Sequence, residues 1–75
     1  MWNEGKIKSG KNTYEYWVKT CEEPSATFGL NGSRIIKMML KRDGKVMMSY
    51  ERGWDIEPKD YDTQKVFSKL CAIYA

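Results

Sequence analysis

Between Thr13 and Cys21 the side chains alternate. Tyr14, Tyr16 and Val18 fall on one side, and Glu15, Trp17 and Lys19 on the other. Period-two alternation of aromatic and β-branched residues predicts a strand. A shorter strand is expected before it, around Asn3 to Ser9, with a polar turn at Gly10, Lys11 and Asn12. Two more strands, Ile35 to Lys41 and Val46 to Glu51, flank Arg42-Asp43-Gly44. Glu22 to Gly32 and Gly53 to Lys59 read as irregular loops, since Pro24, Gly29, Asn31-Gly32 and Pro58 are turn residues. From Asp60 the period changes. Val66, Phe67, Leu70, Cys71, Ile73 and Tyr74 form an apolar stripe at helical spacing. Asp60 is placed to cap that helix, and Asp62 suits its first turn. The expected fold is α+β: a four-stranded antiparallel meander with one C-terminal helix on one face, in the order ββββα.

The register of the third and fourth strands follows from segregation. A two-residue loop at Asp43-Gly44 would pair Ile36 with Glu51 and mix charge into the apolar face. A three-residue loop pairs Lys41 with Lys45. It puts Ile36, Met38, Leu40, Val46, Met48 and Tyr50 inward, and Lys37, Met39, Lys41, Met47, Ser49 and Glu51 outward. A slip of one residue inverts a strand, so the cleaner segregation is expected.

At 75 residues the chain is one small domain, residues 1–75. Apolar residues at 41% and charged residues at 31% describe a folded chain rather than a disordered one. No run is long enough to span a membrane, and no signal-peptide-like run opens the chain, so a cytoplasmic setting is expected. The formal charge of +3 is uneven. Residues 1–46 hold nine basic and five acidic side chains, whereas residues 47–75 hold four and five.

Candidate chemistry is sparse. The sequence has no histidine, which removes the usual base for a Ser or Cys nucleophile. Two cysteines, Cys21 and Cys71, are too few for a zinc site, so no metal or other cofactor is expected. Cys71 reads as a packed thiol. Asp55 and Glu57 are a close acidic pair, better read as loop and helix-start residues than as a catalytic dyad. The glycine-rich Gly29 to Ser33 lacks the Lys-Ser/Thr end of a phosphate loop. Binding, not catalysis, is the expectation.

Two surfaces are candidates for it. The uncovered outer sheet face carries Trp17, Lys19, Lys37, Met39, Lys41 and Met47, a mixture that suits either stacking of nucleic-acid bases or an adaptable protein contact. The loops carry Arg34, Arg52, Trp54 and Asp55. There Arg52 and Asp55 are able to pair over the indole, while Trp54 also reads as a buried structural anchor.

Two segments resemble a family of small uncharacterised proteins of phage and mobile elements. One is Glu23-Pro24-Ser25 with Phe28-Gly29-Leu30-Asn31-Gly32 and Arg34-Ile35; the other is Tyr50-Glu51-Arg52-Gly53-Trp54-Asp55-Ile56-Glu57-Pro58. The second is similar to a Tyr-Asp-Arg-Gly-Trp-Asp pattern followed by Glu-Pro before a helix. Glu51 stands in place of Asp, and Ser33 in place of Gly. The resemblance carries no activity. It implies a mobile-element setting and a host protein as partner, for instance a CRISPR-type defence nuclease inhibited by occlusion. A nucleic-acid-binding module using the basic and aromatic face is the alternative, and nucleotide sequestration in the loops is a third.

Overall fold

A computed structural model describes residues 1–27 and 29–74. Phe28, one of the residues that carry the family resemblance, lies outside them. Five strands form one antiparallel sheet in sequence order: β1 (Trp2–Ser9), β2 (Asn12–Thr20), β3 (Ile35–Arg42), β4 (Lys45–Glu51) and β5 (Trp54–Ile56). One helix, α1 (Tyr61–Tyr74), follows. The α+β class, the meander and the helix are as expected; the strand count is corrected from four to five. The added strand falls in the segment read as a loop. Arg52, at φ 56, turns the chain tightly after β4, which lets Tyr50 pair with Trp54 and Ser49 with Ile56.

The β3–β4 register also differs from expectation. Asp43 and Gly44 both adopt positive φ, 51 and 77, so the connection is a two-residue turn of the kind that fits strand twist. Arg42 then pairs with Lys45 and Lys41 with Val46. A register shift follows, after which Leu40 pairs with Met48 and Met38 with Tyr50. The extra residue is Met47. A bulge of this kind changes the phase of a strand. It satisfies both demands at once: the turn takes its favoured length, and Glu51 still stays off the apolar face. The consequences are specific. Met38 and Met48 are buried as expected. Val46, expected inward, joins the Lys41 row. Met47, expected outward, is half-buried and packs against the core. A second shift, at Lys19/Thr20, buries Ile35 and leaves Ile36 half-buried.

The core lies between the inner face and α1. Tyr14, Val18, Met38, Leu40 and Met48 from the sheet meet Val66 and Leu70 from the helix, all fully buried. Leu30 closes one end from the β2–β3 loop. That loop is tight: a Cβ at Gly29 would lie 1.9 Å from the Ser33 carbonyl oxygen and 2.5 Å from that of Ser25. Ile73, expected in the apolar stripe against the sheet, is 61% exposed because it sits on the margin of the covered area.

Polar contacts fix the start of α1 on the sheet. Asp60 caps it: the Thr63 N–H donates to Asp60 Oδ2 at 3.2 Å, and the Thr63 hydroxyl donates to Oδ1 at 2.6 Å. Arg42 Nη1 donates to the same Oδ2 at 3.0 Å and to the Tyr14 hydroxyl at 2.9 Å. The Tyr14 and Thr63 hydroxyls are 3.0 Å apart. The Thr63 hydroxyl, burial and Arg42 act on the Asp60 carboxyl, and the hydrogen bonds and charge outweigh burial, holding it below the usual range. At the other end the Tyr16 and Tyr74 hydroxyls meet at 3.3 Å, which raises the Tyr74 hydroxyl pKa together with its partial burial.

Asp60→Ala, which removes cap and ion pair together, should cost about 1–2 kcal/mol in a denaturant melt. Asp60→Asn keeps a capping oxygen and should cost less. The folded carboxyl has a depressed pKa, so its contribution is present above the unfolded value of about 3.9 and fades as pH falls through the folded value. The gap between wild type and Asp60→Asn should therefore close below about pH 4. Gly29→Ala, which drives a methyl into backbone carbonyls, should cost about 1–3 kcal/mol, at the upper end of overpacking.

Candidate functional site

The outer face follows from pairing, since partners across a strand pair share a face. One row runs Trp2–Lys19–Lys37–Glu51. The next runs Glu4–Trp17–Met39–Ser49–Ile56, and a third Lys6–Glu15–Lys41–Val46. Nothing among the described residues lies over these rows. Trp2, Trp17, Lys37, Met39 and Lys41 line one shallow cavity of about 280 Å³. A smaller hollow continues beside it, between Trp2, Lys37, Ile36 and Arg52.

The lysines rest on the indoles. Lys37 Nζ lies 5.8 Å from the Trp2 ring centroid and Lys41 Nζ 5.9 Å from that of Trp17. Both distances are near the outer limit of a cation–π contact, which at an exposed site contributes about 0.5–1 kcal/mol. Lys37 also meets Glu51 at 3.4 Å, with the Lys37 side chain about one-third exposed and that of Glu51 largely solvated, a pair of small net effect. These contacts cover the indoles without locking them.

Five of the six outer-face candidates hold their expected place. Trp17, Lys37, Met39 and Lys41 converge on the cavity, and Lys19 stands in the row beside them. Met47 does not, because the β4 bulge turns it to the core. Trp2, 49% exposed, was missed. Its signal was available, since the alternation that puts Ile7 inward continues back through Lys6 and Glu4 to Trp2.

The loop candidates do not converge. Arg34 borders a separate cavity of about 290 Å³ with Cys21, Ile73 and Tyr74, beside the end of α1. Arg52 borders the hollow next to Trp2. Trp54 lies on the helix side, in edge-on contact with Tyr50 at 5.2 Å and Phe67 at 5.6 Å. It is 41% exposed, which corrects the expectation of a buried anchor. Asp55 is exposed on the short edge strand. Of the two thiols, Cys71 packs against the core and burial raises its pKa; Cys21 is half-buried, and neither forms a disulfide. Among the described residues no group of three or more Cys, Asp or Glu side chains could hold a metal ion, and no helix is long and apolar enough to cross a membrane.

A family model, Domain of unknown function (DUF7678), matches residues 1–75. The chain belongs to that family. No curated protein and no solved structure matches it. Membership in DUF7678 assigns no activity, so the surface itself carries the functional reading.

Trp54→Ala should lower stability by about 1–3 kcal/mol, less than the roughly 3–5 kcal/mol of a fully buried aromatic, since it removes two edge-on ring contacts at a half-open site. Trp17→Ala should cost less than Trp54→Ala: Trp17 is the less exposed of the two, but it lies on the outer face away from the core and lacks the two ring contacts of Trp54. Urea midpoints of the two variants measured side by side check the order.

Proposed function

We propose that this DUF7678 chain is a non-enzymatic binding domain that takes single-stranded nucleic acid on its outer sheet face. The observation that carries the reading is the platform itself. Two indoles lie on one open face, each under a lysine, with Met39 beside them. Stacking a base on an aromatic ring contributes about 1–3 kcal/mol, more than the contact each lysine makes with its indole. A base therefore displaces the lysine from the ring, and the freed ammonium is placed for a phosphate. Lys6, Lys19 and Arg52 surround the same surface with further positive charge. The shallow, open shape suits a strand lying along the sheet better than an enclosed mononucleotide.

One observation favours a second reading, a host protein bound on the same face and inhibited by occlusion in a phage or mobile-element setting. Glu4, Glu15 and Glu51 are interleaved with the lysines. A polyanion meets repulsion there, whereas a protein partner of mixed charge does not.

Anisotropy of labelled single-stranded DNA and RNA oligonucleotides, titrated across a salt series, separates the two. Nucleic-acid binding should weaken by roughly 0.7 log units per log unit of salt for each phosphate contact. Trp17→Ala and the double variant Lys37→Glu/Lys41→Glu should each weaken it at least about tenfold, while melts stay within about 0.5 kcal/mol for the lysine pair. Absence of oligonucleotide binding at low salt, or binding indifferent to both variants, would overturn the proposal.

A further inference from the structure

β1 is the long strand with an open edge. Its eight residues pair with β2 in one unbroken register, and among the described residues no strand pairs with its other side. β1 carries no proline and no bulge, two of the devices that stop an edge from recruiting another strand; the guard it does carry is charge, at Glu4, Lys6 and Lys8. By contrast, β5 at the opposite edge has only three residues.

We propose that β1 pairs antiparallel with β1 of a second copy of this chain, about a two-fold axis through Gly5. The register follows from charge. Glu4, Lys6 and Lys8 lie on the outer face with Trp2, while Asn3, Gly5 and Ile7 face the helix side. Pairing two identical strands so that both faces continue allows only registers centred on a residue. Centring on Glu4 puts the two Glu4 carboxylates opposite each other, and centring on Lys6 does the same to two ammonium groups. Centring on Gly5 puts each Glu4 opposite the other copy's Lys6, and each Trp2 opposite its Lys8. Opposite charges directly across an antiparallel pair stabilise it, and like charges oppose it. Glu4 and Lys6 make no ion pair within the chain among the described residues, so both are available.

Gly5 fits the axis for a second reason. A Cβ there would lie 2.9 Å from the Tyr16 hydroxyl oxygen, so the Tyr16 side chain occupies the space that a side chain at position 5 would need. Two glycines facing each other leave the seam flat and let both Tyr16 rings stay over their own strands. The half-buried Ile7 then faces Asn3 of the other copy on the helix side. The result is one ten-stranded sheet with a continuous outer face. This inference does not rest on the nucleic-acid reading; it concerns the edge, not the platform.

Analytical ultracentrifugation across a concentration series tests it, with wild type, Glu4→Lys, Lys6→Glu, the double exchange Glu4→Lys/Lys6→Glu, and an equal mixture of the two single variants. Circular dichroism confirms that each remains folded. Wild type should show a monomer–dimer equilibrium. Each single reversal puts like charges at both symmetric positions and should raise the dissociation constant by about tenfold or more. The double exchange restores complementarity and should return it towards wild type. The mixed single variants should associate with each other more tightly than either does with itself. Within the chain, Lys6 pairs with Glu15, so the Lys6→Glu change sets two carboxylates opposite each other in the double exchange as well. Its recovery therefore separates pairing between copies from any weakening of β1 itself. A wild type that stays monomeric, or a dimer whose affinity ignores the reversals or fails to recover in the double exchange, would overturn the proposal.

Discussion

One helix has to cover a sheet five strands wide. At the usual spacing of about 4.8 Å the sheet is roughly 20–25 Å across, whereas a helix with its side chains is about 10–12 Å wide. The dry core is accordingly confined to the middle strands, where Tyr14, Val18, Met38, Leu40 and Met48 meet Val66 and Leu70. Larger apolar side chains at the margins of the covered face, Trp54 and Ile73, are left partly open. The opposite face receives no cover from the described residues. Both the modest core and the open platform follow from the same shortage of covering structure in a 75-residue chain.

With so little area to bury, the position of the helix depends on its polar ends as well as on Val66 and Leu70. At the start, Asp60 caps the helix and accepts from Arg42, which also donates to Tyr14. At the finish, Tyr74 meets Tyr16. The two tyrosines are two residues apart on β2, on its inner face. A single strand thus receives both ends of the helix, and each tyrosine buries a ring while its hydroxyl finds a partner. This explains why Tyr14 is fully buried yet polar.

The sequence was legible where one demand dominated. The β2 alternation, the cap at Asp60 and the buried pair Met38 and Met48 each answer to a single rule, and each is found as read. It was misread where two rules competed. Segregation argued for a three-residue hairpin loop, and turn chemistry at Asp43-Gly44 argued for two; the bulge at Met47 satisfies both, and alternation contains no sign of it. β5 escaped notice because three residues are too few to show a period, although Trp54 and Ile56 are strand-forming types. Trp54 was expected to be buried because it stands between a strand and the loop that leads into the helix, but the sheet is wider than its helix. Arg34 was grouped with Arg52, Trp54 and Asp55 because antiparallel pairing brings the Arg52 turn to the Arg34 end of β3; the Arg52 N–H does donate to the Ile36 carbonyl at 2.9 Å, but the Arg34 and Arg52 side chains border different cavities.

The Met47 bulge also shapes the open face. Without it, the two-residue turn would carry its register on, setting Met48 beside Met39 on the outer face and Glu51 opposite Ile36. With it, Ser49 stands beside Met39, and the apolar side chains that line the cavity are Trp2, Trp17 and Met39. A patch this small, bordered by lysines and glutamates, does not drive indiscriminate association. The same logic applies along β1. Lysines on an exposed edge ordinarily repel another strand, but in the proposed pairing the order Glu4-Gly5-Lys6 makes that guard part of a register: like charges meet when the pairing is centred on Glu4, Lys6 or Ile7, and opposite charges meet when it is centred on Gly5. In a sheet joined through Gly5, the Trp2 row runs on into the other copy's Lys8. The two Trp2 platforms then lie on one surface, separated by about six residues of strand, roughly 20 Å. On the proposed nucleic-acid reading, two such platforms held rigidly on one surface would act on a flexible strand as linked sites, so that even weak stacking at each would add to avidity.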